Sequence, residues 1–365
     1  MGLHNTADTA SRRMALRELL GEERLDCVML SSRENTRYFT GFTGTESLAA
    51  LSAHESTLLV DSRYSEQAAS QCAKQEVVEI QGSKLRGFAK IARERKWLRI
   101  GVEDHDLTVA AYRELRELLP DIQLVASSSQ INKQRWIKDE TEIEKIKQAA
   151  GLADRAFDEL LPQIRIGMTE NEVAARLEFL MRLHGASGPS FETIVASGAR
   201  SALPHGVATD KELARGDTVV LDFGCVCQGY CSDITRTIFL GEPDRRMLEI
   251  YEIVLNAQLT AEAAIRAGMT GQACDAIARQ VIDEAGYAQY FGHSLGHSLG
   301  LLIHENPNFS PSCLDPIPAG AVLSVEPGIY LPGLGGVRIE DIGVARTDRF
   351  DVLTQSTKRV IVLDS

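Results

Sequence analysis

Two aspartates of the chain are spaced so that they can share a cation. Strand-like segments at 218–227 and 230–239 flank Gln228-Gly229, a dipeptide typical of a two-residue hairpin turn. The register set by this turn places Asp222 and Asp233 diagonally on one face of the hairpin, within side-chain reach. Two carboxylates this close repel each other unless a cation neutralises them. Chance placement on the surface is the alternative that these two residues leave open.

Three of the eight histidines of the chain fall within twelve residues, at His293, His297 and His304. Glycines accompany them at 292, 296 and 300, and glycine lets the backbone approach a ligand closely. The spacing is not that of an HExxH zinc helix, because no second histidine follows His304 at four residues. A single histidine is more often an ordinary core or surface residue, but three together favour a site.

A third polar cluster lies near the C-terminus, on predicted strands at 321–326 and 336–342. Glu326 ends an apolar run, and a Pro-Gly pair breaks the strand after it. Arg338 and Glu340 are two residues apart, so their side chains share one face of a strand. The alternative for this cluster is a surface Arg–Glu pair and an exposed glutamate at a strand end.

The three clusters together supply four carboxylates and one imidazole that can bind metal. The set is Asp222, Asp233, His297, Glu326 and Glu340. Such oxygen-rich ligands suit two divalent ions and favour manganese over a thiolate-type zinc site. Two ions ~3.5–4 Å apart can share a hydroxide and clamp both ends of a hydrolysed bond. The remaining polar groups, available as donors to substrate or to a tetrahedral intermediate, are His205, His293, His304 and Arg338.

Composition excludes some partners and leaves room for a cation site. Lys and Arg total 39 against 51 Asp and Glu, a formal charge of −12, which disfavours binding to nucleic acid. No apolar run approaches the ~20 residues of a membrane span. Residues 1–11 are polar and lack the apolar core of a signal peptide. With seven cysteines, an odd number at irregular spacing, these features predict a cytoplasmic protein.

Three of the cysteines, Cys225, Cys227 and Cys231, are close enough in sequence to suggest a zinc site. They contain no CxxC pair, and no fourth ligand stands at a suitable distance. We therefore expect these cysteines to pack within strands.

The pattern of elements predicts two domains, at residues 1–130 and 131–365. Five strand-like runs in the first half alternate with helical patterns, which is typical of an α/β domain. These runs lie at 26–30, 57–60, 77–80, 100–102 and 122–125, after a helix predicted at 10–20 that stops at Gly21. The polar segment 127–130 marks the predicted boundary. Beyond it, a long amphipathic helix from Asp139 precedes helices and strand pairs typical of an α+β domain with an antiparallel sheet.

The order of the five candidate ligands resembles the metal-ligand series of the dinuclear "pita-bread" metallopeptidases, the family of methionine aminopeptidase, aminopeptidase P and prolidase. Several segments are similar to its proline-peptidase branch in particular: 201–206, 229–237, 296–305, 326–330 and 336–341. The first half, through the segments 35–44 and 61–64, resembles the creatinase-like N-terminal domain of that branch. Methionine aminopeptidases lack that domain. The resemblance implies a catalytic domain with a curved antiparallel sheet.

The resemblance also implies a role for each candidate residue. Asp222 would chelate one ion, and Asp233 and Glu340 would bridge both. His297 and Glu326 would complete the other ion. His205 and His304 match substrate-binding and intermediate-stabilising histidines, while His293 and Arg338 match supporting positions, with Arg338 fixing a bridging carboxylate. Ser298 stands where the family usually has Gly, and its Cβ is expected to narrow the approach to the site.

The leading hypothesis is therefore an Xaa-Pro aminopeptidase, which removes the first residue from peptides with proline in second position. An X–Pro bond is a tertiary amide, and its basic leaving nitrogen must gain a proton, for which Glu326 is the candidate shuttle. An Xaa-Pro dipeptidase (prolidase) is the near alternative, and a catalytically silent binding protein is the alternative from another class. Manganese is the expected metal, with cobalt, zinc or iron as alternatives, and the family suggests a homodimer.

Overall fold

The computed structural model describes residues 6–364 of the chain. Met1 to Asn5, where the polar N-terminal segment begins, and Ser365 lie outside the described residues. The chain divides into two compact units, one ending at Arg135 and the other beginning at Trp136. The polar segment expected to separate the domains at 130/131 instead enters a helix of the first unit, because Ile131 is fully buried there.

The first unit is an α/β domain with a six-stranded mixed sheet. Its helices are α1 (Thr6–Glu22), α2 (Arg33–Thr40), α3 (Ser65–Gln71), α4 (Lys84–Glu94), α5 (Val109–Leu118) and α6 (Ser128–Lys133), and its strands are β1 (Cys27–Leu30), β2 (Leu48–Ser52), β3 (Ser56–Val60), β4 (Glu76–Glu79), β5 (Arg99–Val102) and β6 (Gln123–Ala126). The strand order is β4-β3-β2-β1-β5-β6, with β2 antiparallel to both of its neighbours. The predicted stop of the first helix at Gly21 is wrong, since α1 continues through Gly21 to Glu22.

The second unit is an α+β domain, as the sequence predicts. Its helices are α7 (Glu140–Leu160), α8 (Glu170–Leu183), α9 (Arg245–Ala264) and α10 (Gly271–Glu284). Its strands are β7 (Gly188–Pro189), β8 (Ile194–Ser197), β9 (Thr218–Phe223), β10 (Cys225–Cys227), β11 (Tyr230–Cys231), β12 (Ile234–Leu240), β13 (Gly296–Ser298), β14 (Glu305–Phe309), β15 (Val322–Val325), β16 (Gly328–Leu331), β17 (Gly335–Arg338), β18 (Asp341–Ala345), β19 (Phe350–Val352) and β20 (Ile361–Leu363).

Two larger sheets of this unit carry most of the polar clusters. One has the order β20-β12-β9-β8 and the other β14-β13-β15-β18-β19, while β11-β10-β7 and β16-β17 form smaller sheets. All of these pairs are antiparallel except β12 with β20, which are parallel.

Helix α7 packs by the apolar stripe that its sequence predicts. It begins with a capping box, in which the Asp139 side chain accepts from the Glu142 amide and the Glu142 side chain accepts from the Asp139 amide. The predicted stripe residues Ile143, Ile146, Ala150, Ala153, Phe157 and Leu160 are all buried. Their spacing of three and four residues places them on one face of the helix.

The hairpin around Gln228-Gly229 has the predicted register, with Asp222 opposite Thr235. Its first arm is divided at Gly224, where the backbone passes so close to the carbonyl oxygen of Ser232 that a Cβ would collide with it. Cys225 and Cys231 are buried, and the seven cysteines are free. Packing within strands, as expected, accounts for the cysteine cluster.

The strand predicted at 336–342 is two strands in the structure. β17 ends at Arg338 and pairs with β16, whereas β18 begins at Asp341 and pairs with β15. Glu340, at the break, forms an isolated bridge with Thr235 of β12. The break therefore turns one glutamate toward the hairpin that carries the two aspartates.

No helix within residues 6–364 has both the length and the apolar character needed to cross a membrane.

Candidate active site

The second unit brings every predicted site residue to one cavity of about 500 Å³. The five expected ligands reach it from both larger sheets. Asp222 lies on β9 and His297 on β13, Asp233 immediately precedes β12, Glu326 follows β15, and Glu340 precedes β18. The other candidates on the cavity wall are His205, His293, His304 and Arg338.

The ligand atoms are close together without being bonded to one another. Nε2 of His297 lies 3.5 Å from Oδ2 of Asp233 and 3.5 Å from Oε1 of Glu326. One ligand atom from each of Asp233, His297 and Glu340 lies within 4.8 Å of the others. Nδ1 of His297 is 3.2 Å from the carbonyl oxygen of Ser298, which can only accept, so Nδ1 carries the proton and the Nε2 lone pair faces the carboxylates.

Three buried oxygens of this cluster test whether it fits a cation. Oδ1 of Asp222, Oδ1 of Asp233 and Oε1 of Glu340 are buried without a hydrogen-bond donor. A buried acceptor without a partner is costly, and native structures contain few. Divalent cations bind carboxylate oxygens and imidazole nitrogen. The residues present therefore fit divalent metal ions.

The electrostatics of the cluster support the same conclusion. Burial raises the pKa of Asp222, and it raises the pKa values of Asp233 and Glu340 well above their usual range. The next cause is mutual repulsion: the charge of Asp222 acts on Asp233, and that of Asp233 on Glu340. A divalent cation would remove both causes, since it replaces the lost solvation and cancels the repulsion.

Arg338 orients two of the expected ligands, one by a direct hydrogen bond and one through Thr235. Its Nη2 donates to Oδ2 of Asp222 at 2.6 Å, and its Nε donates to Thr235 Oγ1 at 3.1 Å. Thr235 Oγ1 in turn donates to Oε2 of Glu340 at 2.6 Å. The resemblance implies that Arg338 fixes a bridging carboxylate; in the structure Arg338 contacts Asp222 directly and reaches Glu340, one of the two residues assigned to bridging, through Thr235.

Tyr330 joins Arg338 to His293 and fixes the state of that histidine. The Tyr330 hydroxyl accepts from Arg338 Nη1 at 2.8 Å and lies 2.9 Å from His293 Nε2. Nδ1 of His293 lies 2.8 Å from the carbonyl oxygen of Ser294 and must donate to it. In the neutral ring Nε2 carries no proton, so it accepts from the Tyr330 hydroxyl.

Burial lowers the pKa of His293, which favours the neutral ring that this bond requires. Both ring nitrogens are engaged within the protein. The expectation that His293 is a free donor to substrate is therefore wrong. The sequence offered one signal for Tyr330, its place two residues after the Glu326-Pro-Gly segment. For Thr235 the signal was its place opposite Asp222 in the hairpin.

His205 and His304 are the exposed histidines of the cavity. Within residues 6–364 neither ring makes a hydrogen bond, so both can donate to or accept from a bound molecule. The His304 ring stands edge-on to that of His297, with 4.5 Å between centroids and 71° between planes. Burial, and then the charge of His297, lower the pKa of His304.

Ser298 does not narrow the approach to the cavity. Its side chain is fully buried, donates to the carbonyl oxygen of Val322 at 2.8 Å and accepts from Nζ of Lys138 at 2.9 Å. The expectation that its Cβ restricts access is wrong, because the side chain points to the face of β13 away from the cavity lining.

Models of two known families match the chain. Residues 144–346 match metallopeptidase family M24, and residues 12–137 match the creatinase/prolidase N-terminal domain. The first match alone covers more than half of the chain, including all five expected ligands.

Individual relatives match nearly the whole chain. The Xaa-Pro dipeptidase of Pyrococcus horikoshii is 39% identical over 346 residues, which are 94% of this chain and 97% of the relative. A solved Xaa-Pro dipeptidase from Bacillus anthracis is 43% identical, with a TM-score of 0.95 over 97% of this chain and 100% of that one. A solved X-Pro aminopeptidase from Thermotoga maritima is 41% identical, with a TM-score of 0.90 over 96% of this chain and 99% of that one. The chain thus belongs to metallopeptidase family M24, as a proline peptidase of the pita-bread fold with a creatinase-type N-terminal domain.

Proposed function

We propose that the chain is an Xaa-Pro dipeptidase, which hydrolyses the bond between a first residue and a C-terminal proline with two divalent ions. The observation that carries its metal dependence is the group of buried carboxylate oxygens without donors, at Asp222, Asp233 and Glu340. Relatives named Xaa-Pro dipeptidase, at 39% and 43% identity, favour this reaction over the aminopeptidase reaction that the sequence suggested first.

An Xaa-Pro aminopeptidase is the second candidate. The structure from Thermotoga maritima named X-Pro aminopeptidase has a TM-score of 0.90 with this chain, which keeps that activity in consideration. The two activities differ in whether the cavity accepts peptide chain beyond proline. A purely binding role is disfavoured, because all five ligand positions hold residues able to bind metal.

The five expected ligands would hold the ions. Asp222 is assigned to one ion, His297 and Glu326 to the other, and Asp233 and Glu340 to both. Bound ions supply a polarised substrate carbonyl and a water of lowered pKa. The oxygen-rich donor set favours manganese, with cobalt, zinc or iron able to use the same ligands.

Residues around the ligands would bind and orient the peptide. Phe191, Ile194 and Val207 provide an apolar wall for the proline ring and the first side chain. His304 is assigned to the carbonyl oxygen, where charge develops in the transition state, and His205 to the carboxylate of the peptide.

Proton transfer to the leaving group is the remaining task. The proline nitrogen carries no hydrogen in the peptide and becomes a basic amine when the bond breaks. Glu326 is assigned as the group that takes a proton from the attacking water and delivers it to this nitrogen. Its Oε1 accepts from Ser324 Oγ at 3.0 Å, which orients the carboxyl group toward His297.

Turnover by metal-stripped protein tests the proposal, with Leu-Pro and Leu-Pro-Gly as substrates, Leu-Ala as control, and manganese present or absent. We expect manganese-dependent release of leucine from Leu-Pro alone. Release from the tripeptide would instead establish the aminopeptidase. No turnover with manganese bound would require another substrate, and failure to bind manganese would favour the binding protein.

A homodimer and a cytoplasmic location remain predictions.

A further inference from the structure

We propose that Lys138 is a positioning residue, which holds the segments carrying His297 and His304 in the geometry that the reaction needs. The inference deepens the proposed Xaa-Pro hydrolysis and rests on it for the kinetic part of its test. Lys138 lies outside the cavity lining, directly before the N-cap residue of helix α7, and we infer its role from a hydroxyl and a carboxylate that its ammonium contacts.

The ammonium of Lys138 joins two segments that are distant from it in sequence. Nζ donates to Oγ of Ser298 at 2.9 Å and lies 3.3 Å from Oε2 of Glu305. The side chains of Lys138 and Glu305 are 1% and 3% exposed. An ion pair this deeply buried is worth little for stability in comparison with an apolar replacement, which is a reason to look for a role in geometry.

Each of the two contacts is one residue away from a histidine of the cavity. Ser298 follows His297, and the Ser298 carbonyl oxygen accepts from Nδ1 of that imidazole at 3.2 Å. The Ser298 hydroxyl is fixed between Lys138 and the carbonyl oxygen of Val322. Lys138 therefore constrains the residue that orients the His297 ring.

Glu305 follows His304 and controls the turn that leads to it. Oε1 of Glu305 accepts from the amide of Leu302 at 3.2 Å, while Oε2 faces Lys138. The carboxylate thus holds the segment 302–305, which contains His304, in a turn. Because the His304 and His297 rings are 4.5 Å apart, a shift of either segment changes the distance between the imidazoles.

Two further features constrain this pair, namely the limited space beside its side chains and the anchoring of the Lys138 backbone. A Cβ at Gly300 would lie 3.1 Å from both Oε2 of Glu305 and Cε of Lys138, so a larger residue would press on the pair. The Lys138 amide also donates to the carbonyl oxygen of Gly320 at 3.0 Å, which anchors the backbone from which the side chain extends.

The chain offers a control with the same pairing at a more exposed position, Lys211. Its Nζ donates to Oγ of Ser197 at 2.7 Å and lies 2.8 Å from Oδ2 of Asp217, the same pairing of a serine and a carboxylate. None of these three residues lines the cavity. Lys211→Met therefore removes a similar bridge without contact to either histidine segment.

The kinetic test compares Lys138→Met, Lys138→Arg and Lys211→Met on Leu-Pro, with metal content measured for each. We expect Lys138→Met to lower kcat about tenfold at unchanged KM and metal content, since displacement of a reacting group of well under 1 Å suffices for that loss. Lys138→Arg should recover most of kcat, and Lys211→Met should keep it. An equal loss in Lys138→Met and Lys211→Met would overturn the inference.

A second measurement does not depend on the substrate. In protein with ¹³C-labelled histidine, the Cε1 signal of His304, assigned with His304→Asn, should move in Lys138→Met and in Ser298→Ala but not in Lys211→Met. Ser298→Ala leaves no buried charge unpaired and should fold even where Lys138→Met does not. An unmoved signal in Ser298→Ala would overturn the inference, whereas an inactive wild type with a moved signal would reject only the proposed dipeptidase.

Discussion

Nε2 of His293 accepts a hydrogen bond from the hydroxyl of Tyr330 across 2.9 Å. Arg338 Nη1 donates to the same hydroxyl, so a proton on Nε2 would place a second cationic donor on the Tyr330 oxygen. With His293 neutral, the order of donors begins at the guanidinium and ends at the imidazole. A proton on His293 Nε2 would oppose that order, which is a physical reason for a neutral histidine beside the metal cluster.

Tyr330→Phe should raise the pKa of His293. The variant removes the hydroxyl that donates to Nε2, so the neutral imidazole loses a hydrogen bond that stabilises it. A proton on Nε2 then no longer has to displace the hydroxyl proton of Tyr330. The measurement is a titration of the His293 ring signals by NMR in wild type and variant. Tyr290→Phe, on the same unit and outside the cavity lining, is the control. An unchanged His293 pKa in Tyr330→Phe would show that the hydroxyl does not set the protonation state.

Arg338→Met should weaken metal binding and activity by about 10- to 100-fold, the usual effect of losing a group that orients a ligand. The variant deprives Asp222 of its 2.6 Å donor and Thr235 of the donor that orients it toward Glu340. Manganese affinity by competition with a chelator, and kcat/KM on Leu-Pro, measure the two effects. The manganese affinity and kcat/KM of Arg338→Lys should be nearer to those of Arg338→Met than to those of wild type. The reason is that an ammonium cannot contact Asp222, Thr235 and Tyr330 together. A wild-type affinity in either variant would contradict this role.

The sequence predicts the ligand cluster well where local geometry determines it. Gln228-Gly229 sets the register of its hairpin, and the register places Asp222 opposite Thr235 and near Asp233. The contacts of Tyr330 and Lys138 are different in kind. Tyr330 is 37 residues from His293, and Lys138 is 160 residues from Ser298, so no period or turn in the sequence relates them.

Some predicted elements differ from the structure because pairing with distant strands determines where a strand forms and ends. Strand β2 was not predicted, because its residues Leu48–Ser52 are mainly leucine and alanine, and its pairing with β1 and β3 makes it a strand. The predicted strand 336–342 contains neither proline nor, after Gly336, any glycine that would mark a break at Glu340. It is divided because its two halves pair with different partners, β16 and β15.

Asp233→Ala should abolish both metal uptake and turnover. Asp233 is one of the three residues whose ligand atoms lie within 4.8 Å of one another, and it is assigned to both ions. Metal content after dialysis against manganese, with turnover of Leu-Pro, checks the result. Asp217→Ala, at a carboxylate outside the cavity, is the control. A fully active Asp233→Ala protein would reject the mechanism.

Asp233→Asn should stabilise the metal-free protein at neutral pH and reduce the stabilisation that manganese provides. The native pKa of Asp233 is raised well above its usual 3.8, so the folded state holds this proton more tightly than the unfolded state. The free energy of unfolding of metal-free wild type therefore falls as pH rises from 3.8 toward the native pKa, and asparagine removes this contribution. Melting temperatures at pH 6 and pH 8, with and without manganese, measure both effects. A metal-free variant with the same pH dependence as wild type would contradict the prediction.

Glu262→Gln should become more stable than wild type as pH rises from 4.5 to 7. Burial, and then the charge of Asp341, raise the pKa of Glu262 to about 7, and its Oε1 is buried without a partner. The folded state binds this proton more tightly than the unfolded state. Ionisation on raising the pH therefore lowers the free energy of unfolding by about 3 kcal/mol in all, and the loss levels off above about pH 7. Glu252→Gln, at an exposed position of the same helix, is the control and should show no such change. Urea unfolding of the three proteins at pH 5, 6, 7 and 8 gives the difference, and a difference independent of pH would show that Glu262 is ionised throughout.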